Sequence, residues 1–160
     1  MATYHDMEPI SLESTDALAE DGFVLNLAST GKVAKATAGQ AAFGVNEVST
    51  LNAVTGVAEA NKQVAVVQSP RYAYVQYDVR GATEDFAAGE LVSVKTINTA
   101  GCVTRHISQV LGSYSTVELL ALDAEKKSIV GIAMEAVAWS SGTLTGKVKV
   151  RLLCPKQDNQ

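Results

Sequence analysis

The sequence predicts an all-β fold: two related small β-barrel or sandwich-like units in one compact body, with an N-terminal arm and short connector helices. Three observations lead there. Short runs rich in Val and Thr are punctuated by glycine along most of the chain, one run alternates strictly, and one ordered set of landmarks occurs twice. Runs of this length, rich in β-branched residues and bounded by turn formers, are strand signals.

Taken in order, residues 1–21 hold Tyr4, Met7, Pro9, Ile10 and Leu12 without a sustained period and read as the arm. Strand runs follow as FVLNLA, GKVAKA, QVAVVQ, RYAYVQYDV, ELVSVKTI, GCVTRHI, TVELLAL, SIVGIAM and GKVKVRLL. In the last, Lys147, Lys149 and Arg151 fall on one face and Val148, Val150 and Leu152 on the other, as in a half-buried antiparallel strand. Helical candidates are few and short, such as Ser14 to Glu20 and Thr83 to Ala88, the latter followed by Gly89 where a helix C′ glycine would sit.

The repeat decides the architecture. From Gly22 the chain reads strand, glycine turn at Gly31, strand, Phe43-Gly44-Val45, then a Val-rich strand; from Gly89 the same order returns with Gly101 and Val130-Gly131-Ile132. Gly31 and Gly44 lie 13 positions apart, Gly101 and Gly131 lie 30 apart, so the second copy carries an insertion near residues 110–127. A surface loop tolerates this, because doubling loop length costs only about 0.6 kcal/mol. The expected organisation is an arm at 1–21 and a β domain at 22–160, built of repeats at about 22–68 and 89–153 joined by 69–88.

Composition excludes several functions. With 160 residues and a net charge of −4, the chain has the wrong sign for neutralising phosphates, so nucleic acid is not expected as a partner. No apolar run approaches the roughly 18 residues of a membrane span, and MATYHDMEPISLES has neither a basic nor an apolar signal region. No membrane partner is expected, and synthesis in the cytoplasm is. Cys102 and Cys154 lack metal-ligand spacing and form no disulfide framework, so neither metal nor cofactor is anticipated.

Catalytic motifs fail on chemistry. Thr30-Gly31-Lys32-Val33 and Thr145-Gly146-Lys147-Val148 resemble the end of a phosphate loop, but the first glycine is missing and valine replaces the magnesium-binding hydroxyl. They read as hairpin turns. Of the two histidines, His5 and His106, the second stands four residues from Cys102, roughly 13 Å along a strand and too far for a nucleophile–base pair. Glu84, Asp85, Glu118, Asp123, Glu125 and Asp158 are dispersed and read as solvated surface. No catalytic residue is assigned.

Tyrosines cluster instead. In a strand, Tyr72 and Tyr74 share an outer face with Gln76 and Asp78, while Ala73, Val75, Tyr77 and Val79 face the core. Two outward tyrosines suit contact with another protein, or cross-strand packing within their own sheet.

The stretches GKVAKATAGQAAFGVNEV with QVAVVQ, and AAGELVSVKTINTAGCV with SIVGIAMEAV and GKVKV, give a cadence that resembles the capsid decoration proteins of tailed viruses, also called cement or head-stabilising proteins. The resemblance covers most of residues 22–153. It implies a non-enzymatic protein on the exterior of the virion, stabilising an assembled shell by contact with the major capsid protein, often as a homotrimer. On this reading Tyr4, Met7, Pro9, Ile10 and Leu12 of the arm, together with Tyr72 and Tyr74, contact the capsid or a neighbouring subunit. The arm has a second option, folding back on its own barrel. Alternatives for the whole chain are an oligomeric β-module of a virion tail, fibre or other surface assembly, and a small β-barrel enzyme or ligand binder.

Overall fold

The computed structural model describes residues 9–94, 99–106 and 126–155. Its described strands are β1 (Ile10–Ser14), β2 (Val24–Leu27), β3 (Val33–Lys35), β4 (Gly44–Asn46), β5 (Lys62–Val67), β6 (Tyr72–Val79), β7 (Leu91–Ser93), β8 (Thr104–Arg105), β9 (Ile129–Ala133) and β10 (Leu144–Leu152). The fold is all-β. The first five strands close into a barrel in the order β1-β3-β2-β4-β5, and the last five form a sheet in the order β6-β10-β9-β7-β8.

The two halves have the same pairing. In the first, β2 pairs antiparallel with β3 and β4, β5 pairs antiparallel with β4 and β1, and β1 meets β3 in parallel at Ser14 and Val33. In the second, β7 pairs antiparallel with β8 and β9, and β10 with β9 and β6. A parallel bridge between Tyr77 and Val103 joins its ends as Ser14 and Val33 join those of the first. Register matches too. Leu25 lies opposite Gly44 and Lys35, and Val92 lies opposite Gly131 and Arg105. Asn46 lies opposite Val66, and Ala133 opposite Val150. Gly22 and Gly89 each stand two residues before the paired start of β2 and β7, at φ 90° and 92°.

Equivalent residues therefore fill equivalent space. Leu25, Val33, Val64 and Val66 form the first interior with Leu18, and their counterparts Val92, Val103, Val148 and Val150 are buried in the second. Gly44 and Gly131 show why glycine recurs at the [apolar]-Gly-[Val/Ile] step. A Cβ on Gly44 would lie 2.5 Å from Val66 Cγ1 and 2.6 Å from the Val67 carbonyl, and one on Gly131 would press on Val150 Cγ1 at 2.7 Å and on the Arg151 carbonyl. The same two neighbouring positions exclude a side chain in both barrels.

Several expectations are corrected. The arm is a barrel strand from Ile10 onward, pairing with β5 from Ile10 opposite Val66 to Ser14 opposite Lys62. Short ISLES carries too little pattern to announce it. Ser14 to Glu20 is not a helix, because side chains take over its polar groups and those of its partners: the Leu18 N–H donates to Thr50 Oγ1 at 2.8 Å, and Asp16 accepts the Lys35 N–H at 2.7 Å. Thr83 to Ala88 is a turn, since Phe86 is drawn into a bridge with Val137. The segment between the expected repeats holds β6, the first strand of the second unit, so each unit begins one strand earlier than its glycine landmark. The TVELLAL run and almost all of the expected insertion lie outside the described residues.

One barrel packs on the other through different faces. Val24, Ala36, Ala42, Val45 and Val67 of the first join the core of the second. Backbone bonds seal the contact: the Val24 N–H donates to the Gly101 carbonyl at 2.8 Å, the Gly101 N–H to Ala36 at 2.8 Å, and the Gln76 N–H to Gly22 at 2.8 Å. Lys147 pairs with Asp21 at its margin.

Candidate interaction surfaces

The longest strands, β6 and β10, present one candidate surface. Their register sets Tyr72 opposite Arg151 and Tyr74 opposite Lys149, and on the far side of β10 Ile132 of β9 also lies opposite Arg151. Alternation sends Val148, Val150 and Leu152 inward and leaves Lys147 and Arg151 exposed, as the sequence predicts. Tyr72 and Tyr74 are 53% and 55% exposed, and Met134 continues the patch beyond β9 at 43%. The Lys149 ammonium lies 5.4 Å from the Tyr72 ring centroid, a cation–π contact that orients both side chains. Aromatic, Met and Arg side chains together have the composition of protein interfaces.

Tyr77 faces inward as expected and packs edge-on against Phe86 at 6.4 Å. Asp78 is a correction, because it is expected on the outer face with the tyrosines and is buried. Arg80 holds its carboxylate with two bonds of 2.8 and 3.1 Å, and the Thr99 N–H and hydroxyl donate at 2.8 and 2.9 Å. Burial by itself would raise the Asp78 pKa, but these donors outweigh it and hold the group below the ordinary carboxylate value. Glu84 is buried too, accepting the Arg80 N–H at 2.8 Å. Both carboxylates fix a turn.

A second surface was not legible in the sequence. Between β4 and β5 the chain forms a hairpin with a bridge from Leu51 to Ala58. The Asn52 carboxamide oxygen accepts the Val54 and Thr55 N–H groups at 2.8 and 3.1 Å, and the Gly56 N–H donates back to the Asn52 carbonyl at 2.8 Å. This tightly bonded tip exposes Val54 at 93%, with Val57, Leu51 and Val48 also exposed. The Asn52 to Gly56 turn chemistry was the available signal.

Of the arm residues, Leu12 packs against the first barrel's core, Ile10 is exposed at its rim, and Pro9 is half-buried before β1. Tyr4 and Met7 lie outside the described residues. His106 meets Ser93 Oγ through Nδ1 at 3.2 Å, while Cys102 is buried. Burial, with the nearby Asp78 charge, pushes the Cys102 thiol up to about 11, and burial pushes Cys154 up to about 12. Neither is poised as a nucleophile. Among the described residues no group of three or more His, Cys, Asp or Glu side chains could hold a metal, and no helix is long and apolar enough to cross a membrane.

No family model, curated protein or solved structure matches the chain.

Proposed function

We propose that this is a non-enzymatic structural protein that binds the exterior of an assembled viral capsid and stabilises it, in contact with the major capsid protein and with copies of itself as a homotrimer. The cadence of the duplicated unit supports the class. The observation that carries the contact is the β4–β5 hairpin: four exposed aliphatic side chains on a tip fixed by its own hydrogen bonds. Ordering a flexible segment costs roughly 1–2 kcal/mol per residue in backbone entropy, and a tip already held in shape avoids much of that loss.

Co-sedimentation with shells of the virus that encodes the chain tests the reading. Wild type is expected to pellet with shells and to raise their resistance to heat or chelation. The V54D/V57D double variant should stay in the supernatant while keeping its far-UV circular dichroism. A wild-type chain that fails to bind those shells overturns the proposal.

A further inference from the structure

Each barrel has two faces that matter, and among the described residues only one of each is used. The first barrel docks through the face carrying Gly22, Val24, Val45 and Val67, which is apolar and buried. The second receives it on the opposite kind of face, at Gly101 and along β6 at Tyr74 and Gln76. There a Cβ on Gly101 would stand 3.2 Å from Phe23, and one on Gly22 would stand 2.7 Å from the Tyr74 carbonyl. Because the units share one register, the unused counterparts can be named. The docking face of the second barrel is Gly89, Leu91, Ile132 and Arg151, and the receiving face of the first is Gly31, Ser11 and Glu13.

Burial follows this division. Gly101 is buried and Gly31 exposed; Val67 is buried and Arg151 exposed; Gly22 is buried and Gly89 exposed. A Cβ on Gly31 would meet nothing within 4 Å, where one on Gly101 meets the other barrel. Among the described residues each chain thus has one open face of each kind, and the contact between them already exists within the chain.

We propose that a second copy of this chain occupies the open faces, the second barrel of one chain docking on the first barrel of the next as the two barrels dock within a chain. Such a contact is heterologous, joining different surfaces, so it closes into a ring or continues as an open series according to the rotation it imposes. The inference rests on the internal duplication and not on the shell, and its test contains no shell.

Sedimentation velocity of the full chain across micromolar concentrations is the experiment. Wild type should associate. Ile132→Glu, on the docking face, and Glu13→Arg, on the receiving face, should each lower the association constant about tenfold or more while leaving circular dichroism unchanged. The decisive sample is an equal mixture of the two variants. Each retains the face the other lacks, so the mixture should form heterodimers and stop there. A monomeric wild type, either variant self-associating as tightly as wild type, or a mixture that stays monomeric would overturn the proposal; the second result is what a symmetric interface using one face twice would give.

Discussion

Replacing Gly131 by alanine adds one methyl group to the tightest place in the second barrel. That methyl would press on the Arg151 carbonyl, with Val150 Cγ1 at 2.7 Å and the Arg151 carbonyl carbon at 2.9 Å. The carbonyl belongs to β10, which is held by β6 and β9 on its two sides, so relief requires moving a central strand. Overpacking of this kind costs about 1–3 kcal/mol, and backbone that cannot yield puts this site at the upper end. Against it stands a gain of about 0.4–1 kcal/mol, because alanine restricts the unfolded chain more than glycine. The expected net loss is about 2 kcal/mol, near thirtyfold in the folded-to-unfolded ratio. Urea unfolding, followed by circular dichroism and by the fluorescence of the single Trp139, measures it. At a slope of about 1–3 kcal/mol per molar, the midpoint should fall by roughly 1 M. Gly44→Ala should match it, and because Val45 and Val67 of the first barrel join the core that Trp139 packs against, the Trp139 signal should move although Gly44 lies in the other barrel. Gly81→Ala, with nothing within 4 Å, should be neutral or slightly stabilising. A Gly131→Ala protein within about 0.5 kcal/mol of wild type would refute the close-approach argument.

Asp78→Asn should cost about 1.5–3 kcal/mol at neutral pH, the worth of hydrogen bonds to a charged group. Because the folded pKa of Asp78 lies below its ordinary 3.8, its contribution is present above that value and is lost as pH falls through the folded pKa. The gap between wild type and variant should therefore hold steady from about pH 7 to 5 and narrow below about 4 in urea titrations at each pH. Cys102 and Cys154 should resist a thiol reagent at about pH 8 in the native protein and react fully once urea unfolds it, since burial disfavours both thiolates. Rapid native labelling would contradict their placement. Val54→Asp alone should change stability by less than about 0.5 kcal/mol in the same urea assay, because its side chain touches little.

Strands whose signal is local were legible. GKVKVRLL alternates through Leu152 and became β10 with its valines inside, and the outward placement of Tyr72 and Tyr74 followed from the same period. The landmark glycines carried further than the strands themselves, because Gly22 and Gly89, Gly31 and Gly101, and Gly44 and Gly131 occupy matching positions in the two barrels. What failed depends on distant partners. ISLES becomes a strand only because QVAVV and Val33 flank it, and Asp78 is buried only because Arg80 and Thr99 saturate its oxygens. Likewise Ile132 of β9 and Met134 just beyond it join the tyrosine surface from more than 50 residues away in sequence, and no local pattern connects them.

The way the barrels differ bears on how they are used. At the parallel closure, Ser14 stands opposite Lys62 in the first barrel and Tyr77 opposite Gly146 in the second. The tyrosine needs that glycine, since a Cβ there would lie 2.8 Å from its hydroxyl, while in the first barrel Leu18 supplies bulk from the following turn. Interior volume is thus compensated by paired changes that leave register untouched. The outer faces diverge without compensation inside the chain. Where the first barrel has Val67 the second has Arg151, whereas Val45 and Val24 are matched by the aliphatic Ile132 and Leu91. A face covered throughout the life of the fold can be wholly apolar, but a face proposed to meet a second chain must stay soluble while open. Aliphatic residues flanked by an exposed arginine satisfy both demands, because contacts between separate chains carry a polar rim around an apolar centre.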